Sequence, residues 1–178
     1  MNQSSPSTTP SFSFPEAIAK TQELMQQMVD NQLSEEAIPE AIANLVKSQT
    51  GARGFFVAYL TGDLSLADDP TQGVIEGLQS SPEIVSDLLV KNVAMSAAMR
   101  LTHLRNDDET AAAGSQRVNR RTVKLIQKLK MTEIEQEIQD LKSTIVKGEG
   151  NYQEFLTRWG YDEEQQAEIK QAISSINI

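Results

Sequence analysis

Residues 81–105, SPEIVSDLLVKNVAMSAAMRLTHLR, decide the fold. Ile84, Val85, Leu88, Leu89, Val90, Val93, Met95, Met99, Leu101 and Leu104 fall on more than one face of a helix. A helix that is apolar on most sides is a buried one. Ser96, Ala97 and Ala98 are small enough to let a neighbouring helix approach closely. Leu88 is expected in the core, where truncation to alanine costs ~2–5 kcal/mol. A central helix of this kind needs a bundle around it.

Upstream, a first helix is predicted from Pro15, whose fixed φ suits a first-turn position. Its apolar stripe is Ile18, Leu24, Met25, Met28 and Val29. A second is predicted from Ser34, a good N-cap followed by two acids. Ile38, Ala41, Ile42, Leu45 and Val46 repeat at helical spacing, and Pro39 is close enough to the start to move that boundary. Residues 51–60, GARGFFVAYL, read two ways. Their local chemistry allows a buried strand. A short internal echo argues for helix: Pro39-Glu40, Leu45-Val46-Lys47, Leu60 and Asp63 are mirrored by Pro82-Glu83, Leu89-Val90-Lys91, Leu104 and Asp107.

Downstream, residues 106–115, NDDETAAAGS, read as a flexible loop. Residues 115–132, SQRVNRRTVKLIQKLKMT, follow with six of the sixteen Lys and Arg residues and no acid. Arg117, Arg120, Arg121, Lys124 and Lys128 share one helical face, and Val118, Leu125, Ile126 and Leu129 share another. Thr132 with Glu135 has the form of a capping box, so a new helix is predicted there with Ile134, Ile138, Leu141 and Ile145 as its seam. The two helices would form a hairpin with its turn near Lys130 to Thr132. Gly148 and Gly150 end the second one. A further helix carries Tyr152, Phe155, Leu156 and Trp159, and Asp162 caps a last one carrying Ile169, Ala172, Ile173 and Ile176.

No alternating strand pattern emerges. The predicted fold is all-α, a single-domain bundle of about seven or eight helices, with the C-terminal hairpin as an optional extension. The segments are a disordered tail over 1–14, a helical core over 15–105, a loop over 106–115, and C-terminal helices over 116–178 packed on that core. The tail is rich in Ser, Thr and Pro, and Phe12 and Phe14 either tether it to the core or form a short motif.

Composition narrows the function classes. The chain of 178 residues has no cysteine and one histidine, His103. Thiolate sites, disulfides and multi-histidine metal sites within one chain are excluded. Neither a secretory signal nor a membrane span is expected, because the longest apolar run is Phe55 to Leu60. The expectation is a soluble, cytoplasmic protein without cofactor or metal. The acid clusters Asp68-Asp69 and Asp107-Asp108-Glu109 lack the spacing of a calcium loop. Gly51 and Gly54 do not make a phosphate-binding motif. Arg100, His103 and Asp107 share a helix face but have no nucleophile beside them.

The net charge of −9 is unevenly placed: residues 1–99 carry −8, residues 100–147 carry +3 and residues 148–178 carry −4. The basic face is therefore the feature that points to a partner. It reads in three ways: neutralised within the chain by Glu133, Glu137 and Asp140, docked on an acidic protein, or bound to nucleic acid or anionic lipid. Nucleic acid is disfavoured by the overall charge and by the lack of interleaved aromatics. Reversal of Arg120 and Arg121 is expected to leave the fold nearly intact, since both sit opposite the apolar stripe. The expected function is a non-enzymatic protein-interaction module, such as an adaptor, assembly factor or small regulator. Its partner-binding residues would be Arg117, Arg120, Arg121, Lys124 and Lys128, with Tyr152, Phe155 and Trp159 as a second candidate interface. The alternative is a nucleic-acid-associated regulator using residues 115–130.

Overall fold

Ser13 ends the leading segment and starts the first helix. In the computed structural model, which describes residues 11–178, its hydroxyl accepts from the Glu16 N–H at 3.4 Å. The Glu16 carboxylate accepts from the Ser13 N–H at 2.8 Å, closing a capping box. That contact holds the Glu16 carboxyl below the usual range. Helix α1 then spans Phe14–Val29, with Pro15 in its first turn. Phe12 packs against the core, so the predicted tail is anchored from that residue onward, and its disorder over residues 1–10 lies outside the described residues.

Helix α2 spans Ile38–Val46 and not the longer stretch from Ser34. Pro39 explains the difference. In a helix begun at Ser34 its ring would meet the carbonyl four residues back, whereas in the first turn it costs nothing. Residues 51–60 are helical, within α3, Gln49–Thr61, capped by Ser48. Gly54 lets α3 lie against α1, since a Cβ there would stand 2.5 Å from the Ala17 Cβ. Packing, not phosphate chemistry, accounts for this glycine. A 3-10 turn at Ser65–Asp68 leads to α4, Gln72–Gln79, which the sequence reading did not contain.

Helix α5, Pro82–Arg105, is the predicted centre. Helix α6, Glu109–Leu129, begins inside the stretch read as a loop. The Asp108 carboxylate accepts from the Ala111 N–H at 2.9 Å, and Ala111, Ala112 and Ala113 favour helix. The connection is therefore only 106–108, with Asp107 at a positive φ of 57°. The break after α6 falls where expected, with Lys130 left-handed at φ 49°. The capping box at Thr132 does not form. Helix α7, Thr132–Lys147, has Met131 as its N-cap and no side-chain cap. It also lies along α5 rather than folding back along α6. Helices α8, Gln153–Trp159, and α9, Glu163–Ser174, complete the chain, and Asp162 caps α9 in a capping box with Gln165.

The described residues thus form nine α-helices and no strand, in a single domain. Helices α6, α7 and α9 pack on α5; α3 and α4 touch both α5 and α6, with α1 lying on α3 and α2 against α3 and α4. One hydrophobic core runs from Ala17 to Ile176. The two halves of the internal echo differ in shape. The first is broken between α2 and α3 and buries Leu60, while the second is unbroken and exposes Leu104.

Candidate functional site: the basic face and the groove beside α5

The basic face of α6 is not one open surface. Arg121 is only 3% exposed. Its Nε donates to Asp68 at 2.8 Å, its Nη1 to the carbonyls of Leu60 at 3.0 Å and Gly62 at 2.7 Å, and its Nη2 to the Leu64 carbonyl at 3.2 Å. Lys128 donates to Asp69 at 2.7 Å and to the Pro70 carbonyl at 2.8 Å. Arg117 donates to the Thr61 carbonyl at 3.1 Å and faces Asp63 at 3.6 Å. Arg120 and Lys124 remain exposed. The Arg121 hydrogen bond holds the Asp68 carboxyl below its usual range, and Lys128 does the same for Asp69.

The neutralising acids are therefore Asp63, Asp68 and Asp69, on the strap between α3 and α4. They are not Glu133, Glu137 and Asp140. Because α7 follows α5, Glu137 instead accepts from the Tyr152 hydroxyl, and Asp140 accepts from Asn151 at 3.0 Å. With Asp68 and Asp69 held by cations, neither is arranged as a metal ligand, and the described residues contain no cluster of three or more carboxylate or histidine side chains able to hold an ion. Arg105, at the end of α5, pairs with Asp162 at 2.6 Å and with Glu164.

The second candidate set lines a cleft of about 650 Å³ between α3, α5, α7 and α8. Its three aromatics divide in role. Tyr152 is 2% exposed, and burial followed by the Glu137 contact pushes its phenol well up. Phe155 is half-buried, edge-on to Tyr152 at 6.1 Å and to Tyr161 at 6.0 Å. The Lys91 ammonium sits 5.9 Å from the ring centres of both Tyr152 and Phe155 and pairs with Asp87 at 2.7 Å. Trp159 stands at the rim, 52% exposed.

The same cleft gathers two residues that the sequence reading did not offer for binding, together with Phe14, which it placed in the tail as a tether or short motif. Arg53 and Val57 lie one turn apart on α3, with Val57 43% exposed. Phe14 lies beside them, its ring 5.6 Å from the Arg53 guanidinium. Their helical spacing was the available signal, hidden because residues 51–60 also read as a strand. A shallower groove of about 320 Å³ continues the cleft towards α6 and shares Thr61, Asn92, Met95 and Val118 with it.

Among the described residues, no helix is long and apolar enough to cross a membrane. No curated protein and no solved structure matches the chain. A protein-family model described as "Uncharacterised conserved protein UCP020893" matches residues 13–176, nearly all of the helical body just described, and the chain belongs to that family.

Proposed function

We infer that this protein is a non-enzymatic interaction module, an adaptor, assembly factor or small regulator, which receives a partner protein in the groove beside α5. The observation that carries this reading is the clustering of exposed apolar side chains. Phe14, Val57 and Trp159 all rim the same cleft. The other large exposed apolar residues, Val29, Leu104, Val146 and Ile178, stand at the ends of four different segments. Scattered apolar residues on a surface need no explanation, but a cluster around a concavity is the ordinary form of a docking site. The cytoplasm is kept as the expected location, since a cysteine-free chain suits a reducing compartment.

The alternative, a nucleic-acid-associated regulator, rests on Arg120 and Lys124, the exposed cations of α6, and on Lys130 at its C-terminal end. Three of the other cations are engaged by the strap, which leaves this reading the weaker of the two. Site-specific photo-crosslinking in the native cells tests the choice. A crosslinking residue at position 57 or 159 should trap a polypeptide, and one at position 146 should not. Equal yields at all three positions, or a nucleic-acid adduct from position 120 alone, would overturn the reading.

A further inference from the structure

The chain has no cysteine, so its six methionines carry all of its sulfur. Met1 lies outside the described residues. Met25 and Met131 are buried, at 3% and 9% exposure, and Met28 is half-buried on α1. Met95 and Met99 differ from these in two respects. They stand one turn apart on α5, and both half-buried side chains line the shallow groove of about 320 Å³ between α5 and α6. A small reagent entering that groove meets two thioethers at once. Met28 lines neither the groove nor the cleft and stands alone.

The groove also suits a methionine that has become polar. Oxidation adds one oxygen to the sulfur and turns an apolar side chain into a hydrogen-bond acceptor. The opposite wall contains Ala111, Gly114 and Ser115, and a Cβ placed at Gly114 would meet nothing within 4 Å. An added oxygen has space there. Asn92 and Arg117 line the same groove. Arg117 donates through Nη2 to the Thr61 carbonyl at 3.1 Å and faces Asp63 at 3.6 Å, but its buried Nε has no hydrogen-bond partner among the described residues. The groove wall thus holds a donor in need of an acceptor. Met25 and Met131 belong instead to the closed core, where a sulfoxide would be a buried polar group.

We propose that Met95 and Met99 form a paired oxidation site, at which a peroxide converts both thioethers to sulfoxides in the folded protein. In each step a sulfur lone pair attacks one oxygen of hydrogen peroxide, the O–O bond breaks and an S–O bond forms. The proton on the attacked oxygen passes to the departing hydroxide, which leaves as water. Sulfur loses two electrons and the peroxide gains them. The lining of the groove changes from apolar to polar while the helices stay in place. This chemistry needs no partner, so it stands or falls apart from the interaction reading above.

The test is treatment of the whole folded protein with limiting hydrogen peroxide, followed by trypsin and tandem mass spectrometry. Met95 and Met99 share one tryptic peptide, residues 92–100, and Met25 and Met28 share another, residues 21–47. Doubly oxidised 92–100 should accumulate while 21–47 carries at most one added oxygen. Met95 and Met99 should each react about tenfold or more faster than Met25 and Met131, and in urea the difference should disappear. Circular dichroism should show the helical signal retained in the doubly oxidised protein. Oxidation of Met25 or Met131 as fast as the pair, protection of Met95 or Met99 in the folded protein, or loss of the helical signal would overturn the proposal.

Discussion

Arg121 grips the carboxylate of Asp68, fifty-three residues upstream, through Nε at 2.8 Å and Nη2 at 3.3 Å. The same guanidinium also collects three backbone carbonyls at the end of α3 and along the strap that follows it. All five of its donors converge on one short segment, which suits the fixed fork of arginine and not the point charge of lysine. The strap in turn covers Tyr59, whose hydroxyl donates to the Leu66 carbonyl at 3.3 Å. A residue that reads as part of a recognition face is therefore the fastener between α6 and the α3–α4 connection.

Arg121→Met should destabilise the protein by about 2–4 kcal/mol, because the buried guanidinium is lost and three carbonyls and a carboxylate lose their donor. Arg120→Glu, one position away but exposed, should change stability by less than ~0.5 kcal/mol. Urea denaturation of the two single variants measures both. The expectation that reversing the pair leaves the fold intact fails for Arg121 alone, so binding studies on the α6 face need Arg120 and Lys124 as their targets.

Acid should loosen the same fastening. The Asp68 carboxyl is held below its ordinary value of 3.8 by its hydrogen bond to Arg121. A depressed folded-state value means that the contribution is fully present above the unfolded value and is lost as pH falls through the folded one. Asp68→Asn should therefore lower the melting temperature at about pH 7, and the gap from the wild type should narrow at about pH 3. A gap that stays constant between these conditions would show that the charge of Asp68 contributes nothing to the fold.

Much of the architecture was legible because its signals are local. The cap Asp162, the first-turn Pro15, the seam Ile134, Ile138 and Leu141, and the apolar α5 each declare themselves within a few turns of chain. Helix α4 did not, since QGVIEGLQ holds two glycines in eight residues and owes its place to α2. Gly73 and Gly77 lie against Ile38 and Ile42, and the Gly73 N–H donates to the Glu35 carboxylate at 2.7 Å. The burial of Arg121 was also invisible. A basic stripe looks solvated wherever its acids come from a distant segment. The partly exposed face of α5 at Asn92, Met95 and Met99 was hidden for the opposite reason: apolar periodicity cannot say which of several apolar faces lacks a neighbour.

The cleft separates two adjacent leucines of α5. Leu89 is fully buried, while Leu88 is 8% exposed at the floor of the cleft. Leu89→Ala should cost about 3–5 kcal/mol because the cavity left behind is closed on every side. Leu88→Ala should cost only ~2 kcal/mol, since the space opens onto the groove and fills with water. Chemical denaturation of both variants reads the difference, and equal losses would mean that the groove is closed over Leu88 in solution.

Two helical glycines should respond to alanine in opposite directions. A Cβ at Gly77 would stand 2.6 Å from the Ile42 Cβ and 3.0 Å from the Pro39 carbonyl oxygen. Neither atom is the free end of a flexible chain, so α4 would have to move off α2. Gly77→Ala should destabilise by ~1–3 kcal/mol. Gly114, in the body of α6, has nothing within 4 Å of the added methyl. There the substitution only raises helix propensity and removes freedom from the unfolded chain, and Gly114→Ala should stabilise by about 0.5–1 kcal/mol. Thermal melts of the two variants decide the matter. A stable Gly77→Ala would show that α2 and α4 are not in close contact, and a destabilised Gly114→Ala would show that the space beside Gly114 is already filled.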